Sequence, residues 1–434
     1  MLAIVGSHPR LFRFVFRCGL AAAASLAFPA VAQKPVSAEA QARYESARDS
    51  VAQIRVLLGA SESHSATGTG FVVGRGLILT NYHVVSDKAL EPEVYRLEAV
   101  LPGGRRGPLQ IVAVDVIHDL ALVKGDTGGS RTLAFRDGSL EKGEKGFSLG
   151  YPLNQGLSVV EGIYNGRSEE QYYETIHFTG AVNPGMSGGP VVDSAGRVFG
   201  VNVATRRRGQ LVSFLVPAKF AKRLLAGAAG AGEHGADFRS DIGAQLNAHG
   251  KEVMGALLKA PLPVQKLGEF DMPAKAGEFM QCGAGTERET DRAYTVDSYR
   301  CYTFSSLYID GRISTGMVSF RHSILRAKDL GALRFAYLQQ SRFGANAYEG
   351  YDRKHYTRWS CRDEIVALQG TRAKSAICVR RYKRFEGLYD VALRIATLGD
   401  PALALHSELE LEGVPFESAM EFSRRYVEAI RWNR

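Results

Sequence analysis

The chain has 434 residues, 45% of them hydrophobic and 23% charged, with a formal net charge of +9. That length suffices for two or three domains, each with its own core. The charge excess is modest, and its short clusters, Arg206-Arg207-Arg208 and Arg380-Arg381 with Lys383-Arg384, read as solvated faces, so no nucleic-acid partner is expected.

At the N-terminus, Arg10, Arg13 and Arg17 precede the apolar stretch Cys18 to Phe28 and the small residues Ala30-Val31-Ala32. This is the order of a secretory signal peptide, with cleavage expected after Ala32. The apolar stretch falls short of the ~20 residues of a spanning helix, and Phe16-Arg17 before Cys18 gives no lipidation signal. Residues 1–32 are therefore read as a signal peptide and 33–49 as an N-terminal segment. The mature protein is expected to be periplasmic or secreted, with no membrane span.

Two short apolar strands follow, in Thr67 to Val85, joined at Gly74-Arg75-Gly76 and ending just before His83. A lone histidine is usually a surface or satisfied core residue, but this one stands at a strand end. In Val116 to Val123, Asp119 is an acid inside an otherwise apolar strand. Unpaired, it would cost several kcal/mol, which implies a partner. Asp115 is its rival and is expected to face solvent or a neighbouring backbone group.

Further on, Gly185-Met186-Ser187-Gly188-Gly189-Pro190 flanks a serine with glycines, which lets backbone amides turn toward an oxyanion. The N–H groups of Gly185 and Ser187 are the candidate donors. The string also fits the Gly-x-Ser-x-Gly elbow of α/β-hydrolases, which needs a helix directly after the serine. Gly188, Gly189 and Pro190, then Val191-Val192, a turn at Asp193 to Gly196 and a β-like run from Val198 to Val203, refuse that helix. A serine between strands fits a β-barrel protease.

The order His83, Asp119, Ser187 is the chymotrypsin order among the known triads. With Thr67-Gly68-Thr69-Gly70-Phe71-Val72-Val73, Leu79-Thr80-Asn81-Tyr82-His83-Val84-Val85, Asp119-Leu120-Ala121-Leu122 and Gly185 to Pro190, the chain resembles the trypsin-like peptidases, most closely their HtrA-type branch. Leu149 to Pro152, Val160 to Ile163, Val198 to Asn202 and Leu215 to Pro217 extend the resemblance over about residues 50–225. It implies an all-β, chymotrypsin-like double β-barrel. It also implies His83 as base, Asp119 as its orienting acid and Ser187 as nucleophile, with protein or peptide substrates and neither cofactor nor metal. By the same resemblance Ala181, six residues before Ser187, lies at the base of the S1 pocket, which favours a small or medium apolar P1 side chain. Asn202, Val203 and the residues to Thr205 would run beside the substrate backbone.

A closing helix is expected near Ala218 to Leu225. Ala226 to Gly232 then reads as a small-residue linker, and Phe238, Ile242, Leu246, Val253 and Leu257 recur at mostly helical spacing. Residues 226–262 are read as linker and connector helix, and 263–434 as an α+β domain. Its strands are placed at Tyr302 to Ile309, Ile313 to Phe320 and Leu403 to Leu411. Its helices are placed at Ile324 to Gln340 and Ser418 to Trp432, the last with a capping box at Ser418 and Glu421.

Of the five cysteines, all but Cys18 fall in this region. Cys282, Cys301, Cys361 and Cys378 are even in number, as a disulfide framework requires. Three pairings are possible, and local closure favours Cys282 with Cys301 and Cys361 with Cys378. Without any Cys-x-x-Cys pair, zinc is disfavoured. No family is recognised here, and the carboxylate-binding glycine loop of the PDZ domains that usually follow HtrA-type peptidases is not evident. The alternative to an exported endopeptidase is a binding or chaperone-like envelope protein that uses the peptidase fold as a scaffold.

Overall fold

In the computed structural model the described residues are 37–61, 63–168, 171–205, 212–230, 237–288, 293–303, 307–344 and 352–433. The signal-peptide reading of residues 1–32 and the Arg206 to Arg208 cluster lie outside them.

Twelve strands between Val51 and Pro217 close into two antiparallel barrels. The first contains β1 (Val51–Leu58), β2 (His64–Gly74), β3 (Leu77–Thr80), β4 (Tyr95–Val100), β5 (Arg106–Asp115) and β6 (Leu120–Lys124), in the spatial order β1-β2-β3-β6-β5-β4. The second contains β7 (Lys145–Gly150), β8 (Ser158–Arg167), β9 (Ile176–Phe178), β10 (Pro190–Val192), β11 (Val198–Thr205) and β12 (Ser213–Pro217), in the order β10-β11-β12-β9-β8-β7. The expected double β-barrel is present.

Side chains of a strand alternate between its two faces, and here both faces are often buried. In β2, Val72 enters one apolar cluster with Ile54 and Ile78, while its neighbours Phe71 and Val73 enter another. In β6, Ala121 and Val123 join the first cluster, and Leu120 and Leu122 the second. That second cluster also takes Phe147, Leu149, Val192 and Val201 from the other barrel, so it fastens the two barrels together.

Among the described residues there are six α-helices: α1 (Ala38–Ala47), α2 (Tyr82–Leu90), α3 (Ala218–Gly230), α4 (Arg239–Leu258), α5 (Ala332–Gly344) and α6 (Phe416–Glu428). The predicted linker is partly helical, since α3 runs on to Gly230. Alanine-rich sequence that looks like a linker is also good helix-forming sequence.

Beyond α4 lies a seven-stranded antiparallel sheet. Its strands, in spatial order, are Met280–Glu287, Tyr294–Thr303, Val318–Ala327, Leu403–Val414, Tyr389–Leu398, Thr371–Arg381 and Ser360–Leu368. Ile324 and Leu405 pack with Met254, Phe422 and Tyr426 of α4 and α6. Their neighbours Leu325 and Ala404 pack with Phe335 of α5, so the sheet carries helices on both faces.

Both disulfides form as local closure suggested. Cys282 and Cys301 face each other across the first pair of strands, Cys361 and Cys378 across the last, with Cα–Cα distances of 4.1 and 4.0 Å. Each staples an outermost strand to its neighbour, the position where a sheet has least to hold it.

Three C-terminal expectations are corrected. Residues 318–327 are a strand, and the helix expected from Ile324 starts only at Ala332. Of the single strand expected at Tyr302 to Ile309, the residues up to Thr303 belong to the seven-stranded sheet and Leu307–Tyr308 to a separate two-stranded one. The last helix starts at Phe416 after Pro415 and makes no side-chain cap, so Ser418 lies inside it, and Arg431–Trp432 is a short strand.

Residues Glu39–Arg434 form one compact unit, and α4 shows why. Ile242 and Leu246 in its first half join the core of the first barrel, as does Phe238 just before it. Val253, Met254 and Leu257 in its second half join the core of the seven-stranded sheet. Gln245 adds a strand-like clasp to the end of β5, its Oε1 accepting from the Val116 amide at 2.8 Å and its Nε2 donating to Val114 O at 3.0 Å.

Candidate active site

His83 is the second residue of α2, directly after β3. The first turn of a helix leaves N–H groups without intrahelical acceptors, and Asn81 at the N-cap makes no side-chain cap bond. Asp119 supplies the acceptor from another segment. Its Oδ1 takes the backbone N–H of His83 at 2.8 Å, and its Oδ2 lies 2.7 Å from His83 Nδ1. One carboxylate thus holds both the helix start and the ring. Since a carboxylate only accepts, Nδ1 carries the proton and Nε2 of the neutral ring is left as an acceptor.

Asp119 does not lie within a strand as expected. It ends the turn before β6 with φ +52°, a left-handed conformation that Asp adopts more readily than most residues. Asn81 Nδ2 donates to its carbonyl at 2.7 Å, which fixes the turn. The rival Asp115 is engaged elsewhere. It accepts the His118 amide at 3.0 Å and lies 2.7 Å from His118 Nδ1, and that imidazole stacks on Phe220 of α3 at 3.7 Å between centroids.

Ser187 lies in the loop between β9 and β10, and the loop is tied to both barrels. From the first barrel, Thr69 donates its amide to Ser187 O at 2.8 Å and its hydroxyl to Gly185 O at 2.7 Å. The same hydroxyl accepts the Tyr151 amide at 3.0 Å. From the second, Gly188 N donates to Asn202 O and Asn202 N to Gly189 O, each at 2.9 Å.

Gly185 and Gly188 have φ of +95° and +84°, and a Cβ would stand 2.3 Å from Tyr151 O on the first and 2.2 Å from Thr69 O on the second. Only glycine fits either place. The Met186 amide between them bonds to Asn183 O at 3.0 Å, whereas the amides of Gly185 and Ser187 have no protein acceptor among the described residues. The Ser187 hydroxyl donates to Val203 O at 3.4 Å, a long bond, and not to His83.

The predicted substrate residues divide. Ala181 is half-buried and brings no carboxylate. Val203 stands at a bulge in the β11–β12 pairing, with its carbonyl against the serine. Asn202 is corrected: it is fully buried, its side chain accepting from Ser148 at 2.9 Å and donating to Leu149 O at 3.4 Å. Its place is behind the serine loop. Sequence reading missed the tasks of Thr69 and Asn81, although both stand inside the strings that carry the resemblance.

Residues 68–201 match the family model described as a trypsin-like peptidase domain. The chain is 30% identical over 168 residues to the "Probable periplasmic serine endoprotease DegP-like" of Chlamydia muridarum, covering 36% of this chain and 33% of that protein. It is 32% identical over 179 residues to the serine protease HTRA1 of Xenopus tropicalis, covering 38% and 36%. Among solved structures, the serine endoprotease from Yersinia pestis aligns with a TM-score of 0.39 and 22% identity, over 45% of this chain and 68% of that one. The chain thus spans about a third of the length of the curated relatives it matches.

Proposed function

We propose that this chain, whose residues 68–201 match a trypsin-like peptidase domain and resemble a DegP-like serine endoprotease, is an exported serine endopeptidase of the HtrA type. The observation that carries the reading is the double grip of Asp119 on His83, at 2.8 and 2.7 Å. It sets the tautomer in which Nε2 can take a proton.

In this reading Nε2 removes the proton from Ser187 Oγ as Oγ adds to the substrate carbonyl, and Asp119 stabilises the imidazolium that forms. The amides of Gly185 and Ser187 receive the oxyanion, each such donor being worth about 10²–10³ in rate. The peptide that carries the Gly185 N–H is held by Leu153 N, which donates to Pro184 O at 3.0 Å, and the next peptide by Thr69 through Gly185 O. The imidazolium then protonates the leaving amine, and water releases the acyl group by the same steps in reverse. The Ser187 hydroxyl, turned here to Val203 O, swings to Nε2 as substrate fills the cleft; such bonds commonly tighten only in the complex.

Past Asn202 the edge of β11 on the β10 side has no strand partner among the described residues. A substrate backbone joins there as an added strand, and Ala181 leaves an S1 pocket for small or medium apolar side chains. Export follows from the leader-like residues 1–32, in keeping with the periplasmic relative.

The test is hydrolysis of casein and of a P1-varied peptide library by the full chain. Ser187→Ala should lower kcat by at least about 10³-fold, with Ala or Val preferred at P1. A library profile led by Lys or Arg would overturn the pocket assignment, and undiminished hydrolysis by Ser187→Ala would overturn the activity.

A further inference from the structure

The C-terminal half reaches the candidate base. Leu307–Tyr308 and Ser314–Thr315 form a small hairpin whose apolar residues Leu307 and Ile309 are buried in the first barrel's core beside Val84 and Val85 of α2. The hydroxyl of Tyr82, the residue before His83, donates to Ile309 O at 2.8 Å, fully buried. At the tip, a Cβ on Gly311 would stand 3.3 Å from His83 O. The ring of Tyr308 consequently lies on the imidazole of His83, with centroids 4.7 Å apart and planes 36° apart.

The hairpin is itself braced from behind. Asp310 accepts the amides of Arg312 and Ile313, each at 2.9 Å, which closes the turn. Its Oδ2 lies 3.0 Å from Nε2 of the buried His355, whose Nδ1 lies 3.0 Å from Asp352 Oδ2. The hairpin therefore cannot drift from α2 without breaking buried polar contacts, and Tyr308 is held against His83 rather than resting there.

We propose that Tyr308 is a positioning residue for the general base: its ring keeps the His83 imidazole in place and stabilises the imidazolium formed as Ser187 attacks. The physical reason is differential. A π-face within about 6 Å attracts a cation far more than a neutral ring, so the contact strengthens as the proton moves from Ser187 to Nε2. An interaction that grows toward the transition state raises kcat rather than tightening substrate binding. The C-terminal half then belongs to the catalytic apparatus, although it is remote from the peptidase strings in sequence. This inference rests on the peptidase reading above.

The experiment compares Tyr308→Ala, Tyr308→Leu and Tyr308→Phe in the full-length chain. It measures kcat and KM on a peptide that the unaltered protein cleaves, the rate of fluorophosphonate labelling at Ser187, and the melting temperature. The Ala and Leu variants should lose about tenfold in kcat with KM within about twofold, labelling should slow in parallel, and Phe should stay close to the unaltered protein. If Leu restores kcat as well as Phe does, the ring only fills volume and the proposal fails. Full kcat in Tyr308→Ala overturns it as well. If the unaltered chain takes no label at Ser187, the peptidase reading falls, and this inference with it.

Discussion

The two sides of the site are held in different ways. The nucleophile side is supported from within the barrels: Thr69 of β2 grips Gly185 and Ser187, and Asn202 of β11 grips Gly188 and Gly189. The base side borrows support from far down the chain. Asp119 holds the start of α2, but Glu91, at its end, is paired with Lys354 at 2.9 Å and with Arg384, and Tyr82 and His83 lie under the 307–315 hairpin. The difference teaches that the serine loop is a local construction, whereas the segment carrying His83, the proposed base, is packed against the C-terminal half.

The largest effect should come from Asp119→Asn, which keeps the shape but reverses what Nδ1 can do. A donor in place of the carboxylate favours the wrong tautomer, and kcat should fall by about 10⁴. A fall below tenfold, measured at saturating substrate, would mean that the grip on His83 is structural only.

Next in size is the shared core. Phe238→Ala removes a buried ring where α4 enters the first barrel and should cost about 3–5 kcal/mol in denaturant unfolding. By the same token a truncation after Leu225, which removes Phe238, Ile242 and Leu246 together, should give no stable folded barrel. A truncated chain with full activity and an unchanged melting temperature would break the comparison, since the base side would then need nothing from downstream.

The nucleophile side answers to a smaller change. Thr69→Val removes a hydroxyl that donates to Gly185 O and accepts from Tyr151 N, so the Gly185–Met186 peptide, which lies between the two proposed oxyanion donors, is no longer held from the first barrel. We expect kcat to drop about 10- to 100-fold, less than the loss of an oxyanion donor itself, with KM little changed. A KM effect alone would place Thr69 in substrate binding.

The smallest effect is in pH. Burial alone would lower the pKa of His355, but Asp310 and Asp352 outweigh it and hold the ring above its ordinary value of 6.5. Burial likewise opposes ionisation of Asp310, yet His355 and the amides of Arg312 and Ile313 bring it down to about 2. A raised histidine stabilises the fold below its unfolded value and loses that contribution as pH rises through the folded one. A lowered carboxylate does so above its unfolded value, 3.8, and loses it as pH falls toward 2. The hairpin brace is thus fully present between about pH 4 and 6.5. The melting temperature should decline above that window, and decline less in His355→Gln; equal slopes would remove the brace from the account.

Much of this was legible in the residues. The triad candidates and the double barrel could be read because the serine loop demands glycines at two places and because short apolar strands separated by turns repeat along the first half. The cost of burying Asp119 signals that it needs a partner, but its left-handed turn is not legible, since nothing in Val116 to Val123 marks where the strand begins. The start of the helix expected from Ile324 is not legible because Ile324 and Leu325 face opposite covered sides of the sheet, which hides the alternation that identifies a strand. Tyr308 gave no signal at all. Its contact with His83 depends on packing across more than half the chain, through a helix whose apolar spacing shows that it is amphipathic but not that it serves two cores.

The central claim, that Ser187 is a nucleophile activated by His83, is tested most directly by labelling the full chain with a fluorophosphonate and mapping the modified peptide. The label should fall on Ser187, vanish in Ser187→Ala and slow by at least about 10²-fold in His83→Ala. Labelling at another residue, or at Ser187 with a rate indifferent to His83, would contradict it.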